Sequence, residues 1–240
     1  MIVLFTDYGL KGPYLGEVEA IIFRYAPQER VINLFADVPR QNPQAGAYLL
    51  AACTGRFPKG TIFFCVVDPG VGSGADKPVV IRIGEHHYVG PHNGLFDIVA
   101  RDCEQVECWE ITYHPEDTSI SFHGRDIYAP VCAMLANQQP VPGRKLDWYP
   151  RYNWPEDLYE IIYIDHFGNG MTGIRASQIS ENTIINVSNV EIKNATTFSS
   201  VKKGGVFWYE NSNGLVEIAV NQGSAAEALN LDIGTRVVNK

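Results

Sequence analysis

The chain lacks a long apolar run, a basic stretch, a Cys-x-x-Cys pair and an internal repeat. Each absence removes a class of function. The longest apolar runs fall far short of the roughly 20 residues that cross a bilayer, so no membrane partner is expected. Acidic residues outnumber basic ones, 27 to 19, and no basic cluster stands out, so no nucleic-acid partner is expected. The five cysteines, Cys53, Cys65, Cys103, Cys108 and Cys132, are odd in number and form no close pair, which fits buried reduced thiols better than a disulfide framework. His86, His87 and His92 cluster without a His-x-x-x-His spacing or a partnering Cys pair, and no metal is expected. The opening Met1-Ile-Val-Leu-Phe-Thr6 lacks the basic region and length of a signal peptide and reads as a first strand, so the expected location is cytoplasmic.

What is present is an alternation of strands and helices. Continuous apolar or β-branched runs at 2–6, 31–34 and 61–67 read as strands, the last covered on both faces. Val18, Ile21, Ile22 and Tyr25, and again Ala45, Tyr48, Leu49 and Ala52, fall at helical spacing. Further β structure is expected at 79–83 and 87–89, and helix at 95–102 and 127–137. This pattern implies an α/β fold with a mostly parallel sheet flanked by helices. At Gln138 the pattern changes. Pro140, Pro142, Gly143, Pro150 and Pro155 mark a stretch without helical or strand period. Short β runs follow at 158–164, 183–187, 206–209 and 215–220, with Asn213-Gly214 as a hairpin turn between the last two. The expected organisation is an N-terminal α/β domain over 1–139, a proline-rich linker over 140–156, and a small antiparallel β domain over 157–240.

Polar motifs sit at the expected strand ends and turns: Asp7-Tyr-Gly9, Asp68-Pro-Gly-Val-Gly72, Phe122-His-Gly-Arg-Asp126, Asp165-His-Phe-Gly-Asn169 and Asn211-Ser-Asn-Gly214. Singly, each is ordinary turn chemistry: Asp126 can cap a helix and Arg125 can pair with a carboxylate. Together they are harder to set aside. In a parallel sheet the carboxyl ends of successive strands share one edge, so Asp7 and Asp68 can face one crevice, with His123 joining them. Two carboxylates and an imidazole there suit general-base work or the binding of sugar hydroxyls.

The motifs together resemble the S-adenosylmethionine (SAM) hydrolases, also called SAM hydroxide adenosyltransferases, relatives of the fluorinating and chlorinating adenosyl transferases. The likeness runs through Thr6-Asp-Tyr-Gly9 with Tyr14-Leu-Gly16, Asp68-Pro-Gly-Val-Gly72, Pro91-His-Asn-Gly-Leu-Phe96 and Phe122-His-Gly-Arg-Asp-Ile-Tyr-Ala-Pro130. Asp165-His-Phe-Gly-Asn169 and the stretch from Gly214 to Ala226 complete it. The resemblance implies an N-terminal α/β domain, a C-terminal β-barrel-like domain, and a homotrimer with ligand held between subunits. It implies attack of water on C5′ of SAM, releasing adenosine and methionine, with SAM as substrate and no cofactor.

Residue roles follow from motif position. Asp68 and His123 match positions that handle the water, and Asp7 matches the position that receives the ribose hydroxyls. Asp165 and Asn169 would meet the methionine or ribose portion, with Phe167 near the adenine, while Ser212, Glu217 and Val220 match ligand-lining positions. The family pattern continues after Asp68-Pro-Gly-Val-Gly72 as Thr-x-Arg-Arg. Here it reads Ser73-Gly-Ala-Asp-Lys-Pro78, with Ala75 at the arginine position and Lys77 the stand-in cation. Three readings follow: a hydrolase, placed first; a relative that binds adenosine or SAM with little turnover; and a halide-using transferase, placed last because the compact chain has no room for the extra N-domain loop of those relatives.

Overall fold

The computed structural model describes residues 1–239. The chain divides into two compact units, Met1–Leu50 with Arg56–Asn153, and Ala51–Gly55 with the chain from Trp154 onward.

The first unit is built on seven strands: β1 (Ile2–Thr6), β2 (Val31–Phe35), β3 (Ile62–Val66), β4 (Pro78–Ile83), β5 (His86–Pro91), β6 (Val106–Ile111) and β7 (Gly143–Leu146). Their order across the sheet is β2-β1-β3-β5-β4-β6-β7. β1 lies parallel to β2 and β3, and β3 parallel to β5. The far half is antiparallel, β5 to β4, β4 to β6 and β6 to β7. Every residue of β1 and β3 is buried, as their apolar and β-branched sequences require in a sheet covered on both faces. The helices are α1 (Tyr14–Tyr25), α2 (Pro43–Thr54), the short α3 (Asp97–Ala100) and α4 (Ala129–Ala136). Val18 and Ile22 of α1 meet Val131 and Cys132 of α4 in one core with Ile2, Leu4, Phe64 and Val66. The cysteines are free, and all but Cys103 are buried.

Several elements depart from the expectation. β6 and β7 were not foreseen, and β7 falls within the stretch read as a linker. Their sequences, Val106-Glu-Cys-Trp-Glu-Ile111 and Gly143-Arg-Lys-Leu146, are too charged to announce strands. The charges pair across the ladder instead. Glu107 meets Arg82 and Lys145 from the two neighbouring strands, and Glu110 meets Arg144 at 2.7 Å and Lys77 at 3.2 Å. Such exposed pairs are worth at most about 1 kcal/mol each, but opposite charges facing one another favour this register. The helix expected from residue 127 is preceded by a wide turn over Gly124–Tyr128, in which the Ala129 N–H reaches back five residues to the Gly124 carbonyl. Insertions of this π-helical kind recur at functional sites.

The second unit contains β8 (Leu158–Ile164), β9 (Gly170–Arg175), β10 (Ile185–Val187), β11 (Val190–Ile192), β12 (Val206–Glu210), β13 (Leu215–Val220), the helix α5 (Ala225–Leu229) and β14 (Val238–Asn239). Antiparallel pairing gives a four-stranded sheet, β12-β13-β9-β8, and a three-stranded sheet, β11-β10-β14. The antiparallel character is as expected, but the strands form two sheets and no closed barrel is present among the described residues. Ile161, Ile174, Val187, Trp208, Val216 and Ile218 share their core. The buried Trp208 satisfies its indole N–H on the Thr183 carbonyl at 3.0 Å. The β12–β13 hairpin turns at Asn213-Gly214 as expected, with Gly214 at φ +78°. No helix among the described residues is long and apolar enough to cross a membrane.

Candidate active site

The parallel pairing of β1 with β3 sets Thr6 opposite Val66. Asp7 and Asp68 therefore leave the sheet side by side, at the edge where α/β folds place their chemistry. The turn before α4 completes the group. A small cavity of about 60 Å³ is lined by Asp7, Tyr8, Val66, Asp68, Val71, Ser121, Phe122, His123, Gly124 and Tyr128. Three of the sequence-derived candidates, Asp7, Asp68 and His123, thus meet around one space.

Both carboxylates are tied to backbone. Asp68 Oδ1 accepts from the Gly70 N–H at 3.1 Å, and Asp7 Oδ2 from the Gln41 N–H at 3.0 Å. Burial pushes the Asp68 carboxyl up to about 6; the Gly70 N–H draws it back, and the negative charges of Asp76 and Asp7 add to the rise. Burial likewise raises Asp7, against the pull of the Gln41 N–H, its own N–H and Arg40. His123 moves the other way. Burial lowers its imidazole, His114 lowers it further, and Asp126 opposes both. At neutral pH the cavity thus holds a mainly ionised Asp68 beside a neutral His123, an acceptor pair suited to one polarised water.

An aromatic wall backs the cavity. Tyr8 packs edge-on against Phe122, with ring centroids 5.7 Å apart, and against Phe64 at 6.5 Å. Burial drives the Tyr8 hydroxyl far above its ordinary range, so it remains a neutral donor. Gly124 is required by close approach: a Cβ there would overlap the Tyr8 hydroxyl and press on the Phe122 ring.

Neither Lys77, the expected stand-in cation, nor Arg125 lines this space. Lys77 lies at the start of the loop-to-β4 junction, and its Nζ donates to Glu110 of β6 at 3.2 Å. It is not among the residues around the cavity. Arg125 is held in a fork by Asp126, with Nε and Nη2 bonds of 2.6 and 2.9 Å, while Nη1 donates to Glu17 of α1 at 2.8 Å. Asp126 does not cap the helix. Its Oδ2 instead accepts from the Ser119 N–H at 2.8 Å, binding the loop before the turn.

The second unit gathers a different set. A cavity of about 540 Å³ is lined by Asp165, Phe167, Asn169, Phe198, Tyr209, Val220, Gln222 and Gly223. Asp165 shapes the β8–β9 turn: its Oδ1 accepts from the N–H groups of Phe167 and Asn169 at 2.9 and 2.8 Å, and its Oδ2 from the Asn169 side chain at 3.0 Å. Phe167 stands 73% exposed at the cavity rim. Asn169 is buried, and its Oδ1 has no partner among the described residues. Glu217 and Ser212 do not line the space. Glu217 is buried behind it, accepting from the Tyr209 hydroxyl at 2.5 Å and from Asn211 Nδ2 at 2.9 Å. Burial raises its carboxyl against those two donors. Ser212 lies in the hairpin turn after β12.

Phe198, Tyr209, Gln222 and Gly223 were not foreseen as lining residues. For Tyr209 a signal existed: an aromatic opposite a carboxylate in a predicted hairpin. In the observed register Tyr209 pairs with Glu217.

Comparison with known proteins matches both parts of the chain to one family. Residues 2–143 match the model of the SAM hydroxide adenosyltransferase N-terminal domain, and residues 159–238 that of the C-terminal domain. The chain is 32% identical to an (R)-S-adenosyl-L-methionine hydrolase of Thermus thermophilus, over 97% of this chain and 96% of that protein. A crystal structure of an uncharacterized conserved protein from Thermotoga maritima superposes with a TM-score of 0.90 at 30% identity, covering 100% of this chain and 99% of that one. More distantly, a fluorinase of Nocardia brasiliensis is 23% identical over 99% of this chain and 95% of its own. The chain therefore belongs to the SAM hydroxide adenosyltransferase family.

Proposed function

We propose that the protein hydrolyses S-adenosyl-L-methionine to adenosine and L-methionine, acting on the (R)-sulfonium form named for its Thermus thermophilus relative. The observation that carries this reading is the meeting of Asp7, Asp68 and His123, from three distant stretches of sequence, around one cavity of about 60 Å³. That size suits a water, whose share of liquid volume is about 30 Å³, better than a nucleoside.

The oxygen of one water attacks C5′ as the C5′–S bond breaks. The bonding pair leaves on sulfur to give neutral methionine thioether, and the water's proton passes to the Asp68–His123 pair. The sulfonium is already a good leaving group, so the step asks for no general acid and no cofactor. The obstacle is the nucleophile, since bulk water ionises only near pKa 15.7. A positioned base contributes about 10²–10⁴-fold, whereas holding the reactants in line is worth about 7–11 kcal/mol. Positioning therefore dominates, and Asp68 and His123 serve it by accepting the water's O–H groups, which leaves a lone pair aimed at C5′. Asp7 receives the ribose hydroxyls.

The larger cavity of the second unit has the volume of a small-molecule pocket. Phe167, Phe198 and Tyr209 offer faces for adenine, Asp165 and Asn169 offer polar contacts, and Val220 offers apolar surface. Homotrimeric assembly, implied by the family resemblance, is part of the proposal and is tested by sedimentation of the intact protein.

The functional test is incubation with SAM and chromatography of the products. Equimolar adenosine and methionine, abolished in His123→Ala, are expected. Calorimetric binding of adenosine without release from SAM would overturn the hydrolase reading in favour of a binding protein. Chloride-dependent formation of 5′-chloro-5′-deoxyadenosine would overturn it in favour of a halide-using transferase.

A further inference from the structure

The loop after β3 brings two carboxylates together. A Cβ built on Gly70 would lie within 4 Å of both Asp76 Oδ2 and Asp68 Oδ1. Asp7 lines the cavity beside Asp68. The negative charges of Asp76 and Asp7 oppose the ionisation of Asp68, and water handling needs Asp68 ionised. Arg125 and Lys77 are engaged by other carboxylates. Arg40 acts on Asp7, and the cation that reaches Asp76 comes from the chain after β7: Arg151 Nη2 stands 3.7 Å from Asp76 Oδ1.

Arg151 is presented by a fastened backbone. Asp97, at the start of α3 and only 2% exposed, accepts the Tyr152 N–H at 2.8 Å. The Arg151 N–H also draws the Asp97 carboxyl down against its burial. Two residues earlier, the Tyr149 carbonyl bonds His92 Nε2 at 3.1 Å, and the Tyr149 ring packs on the imidazole, 5.0 Å between centroids. A loop held at both points has little freedom to swing its arginine away, so the side chain spends less conformational entropy in reaching Asp76.

We propose that Arg151 is a positioning residue for the hydrolysis, whose guanidinium offsets the charge of Asp76 and so lets Asp68 carry its own negative charge beside the reacting water. The groups facing Asp68 are Asp7 and Tyr8 after β1, Asp76 in its own loop, and His123 and Tyr128 from the turn before α4. Among these Arg151 acts through Asp76, the carboxylate it contacts. The consequence for turnover rests on the hydrolase reading; the effect on the Asp68 carboxyl does not.

The test is the pH dependence of kcat/KM for SAM, together with titration of the Asp68 carboxyl carbon by NMR, on the intact protein. Arg151→Ala moves both the acid limb and the Asp68 titration upward by about half a pH unit, the size expected for loss of one partly screened charge. Arg151→Lys returns most of the shift. Asp76→Asn moves both downward, and in that background Arg151→Ala has no further effect. Arg151→Gln serves should the alanine variant fold poorly, since the backbone bonds to Asp97 remain. An unmoved limb and titration in Arg151→Ala, or a shift that persists in full with Asp76→Asn, overturns the proposal. A merely structural role lowers activity at every pH without moving either curve. If the wild-type protein releases no adenosine, the hydrolase reading falls, and the carboxyl titration alone decides the role of Arg151.

Discussion

Asp68→Asn is expected to destroy activity and to stabilise the protein. The Asp68 carboxyl sits at about 6 against an ordinary 3.8. That rise means the native state binds this proton more tightly than the unfolded chain does. Stability contributed by the protonated form is therefore lost as pH climbs from about 4 to about 6, and stays lost above. A rise of about two units corresponds to ~3 kcal/mol at 1.36 kcal/mol per unit. The side chain is only partly buried, so solvent screening reduces this to ~1–2 kcal/mol. Asparagine cannot ionise, and its Oδ1 can still accept the Gly70 N–H. The variant should therefore melt about 3–6 °C above wild type at pH 7.5, since 1 kcal/mol shifts Tm by about 2–4 °C at this chain length. The gap should close toward pH 4.5. In parallel, wild-type kcat/KM should fall about tenfold per unit below pH 6, as the carboxylate is protonated, and the variant should lose about 10²–10⁴-fold at the plateau. Thermal unfolding at both pH values and SAM turnover across the range are the measurements. A variant that melts at or below the wild type at pH 7.5, or a gap indifferent to pH, would refute the reasoning.

Other substitutions probe neighbouring parts of the structure. Asp7→Ala should weaken adenosine binding by about 1.5–3 kcal/mol, the worth of hydrogen bonds to a charged group, and an unchanged calorimetric Kd removes Asp7 from the ribose role. Gly124→Ala places a methyl on the Tyr8 hydroxyl; it should cost ~1–3 kcal/mol in denaturant unfolding and lower kcat, whereas a fully active, equally stable variant would show that the wall yields freely. Lys77→Ala removes an exposed partner of Glu110 and should leave kcat/KM within about twofold, since surface pairs are worth about 0–1 kcal/mol. A hundredfold loss would return Lys77 to the chemistry.

The meeting of Asp7 and Asp68 in the first unit was legible because it depends on a rule that sequence carries. Two apolar runs that end in Asp7 and Asp68 are parallel strands, and parallel neighbours deliver their ends to one edge. The role of Lys77 was not legible, because its partner depends on antiparallel β4–β6 pairing between residues 33 apart, in strands whose charge disguised them. β9 was hidden for another reason. Its Gly170-Met-Thr-Gly-Ile-Arg175 lacks strand propensity, yet a Cβ at Gly173 would strike the Leu158 backbone and one at Gly170 would strike Leu231 and Ile161. The glycines are there because β8 and the segment before β14 come too close for side chains. The anchoring of Arg151 by Asp97 rests on hydrogen bonds to main-chain N–H groups, which no residue pattern announces.

β7 bears on how the chain survives its own synthesis. Until residues 143–146 emerge, β6 presents an open row of N–H and C=O groups beside Trp109 and Cys108, a template on which another nascent chain can add itself. Once paired, β7 turns Arg144 and Lys145 toward solvent, 66% and 64% exposed. Charged side chains on an edge make a further strand unwelcome, so the last strand of the first unit to be made is also its guard against polymerisation.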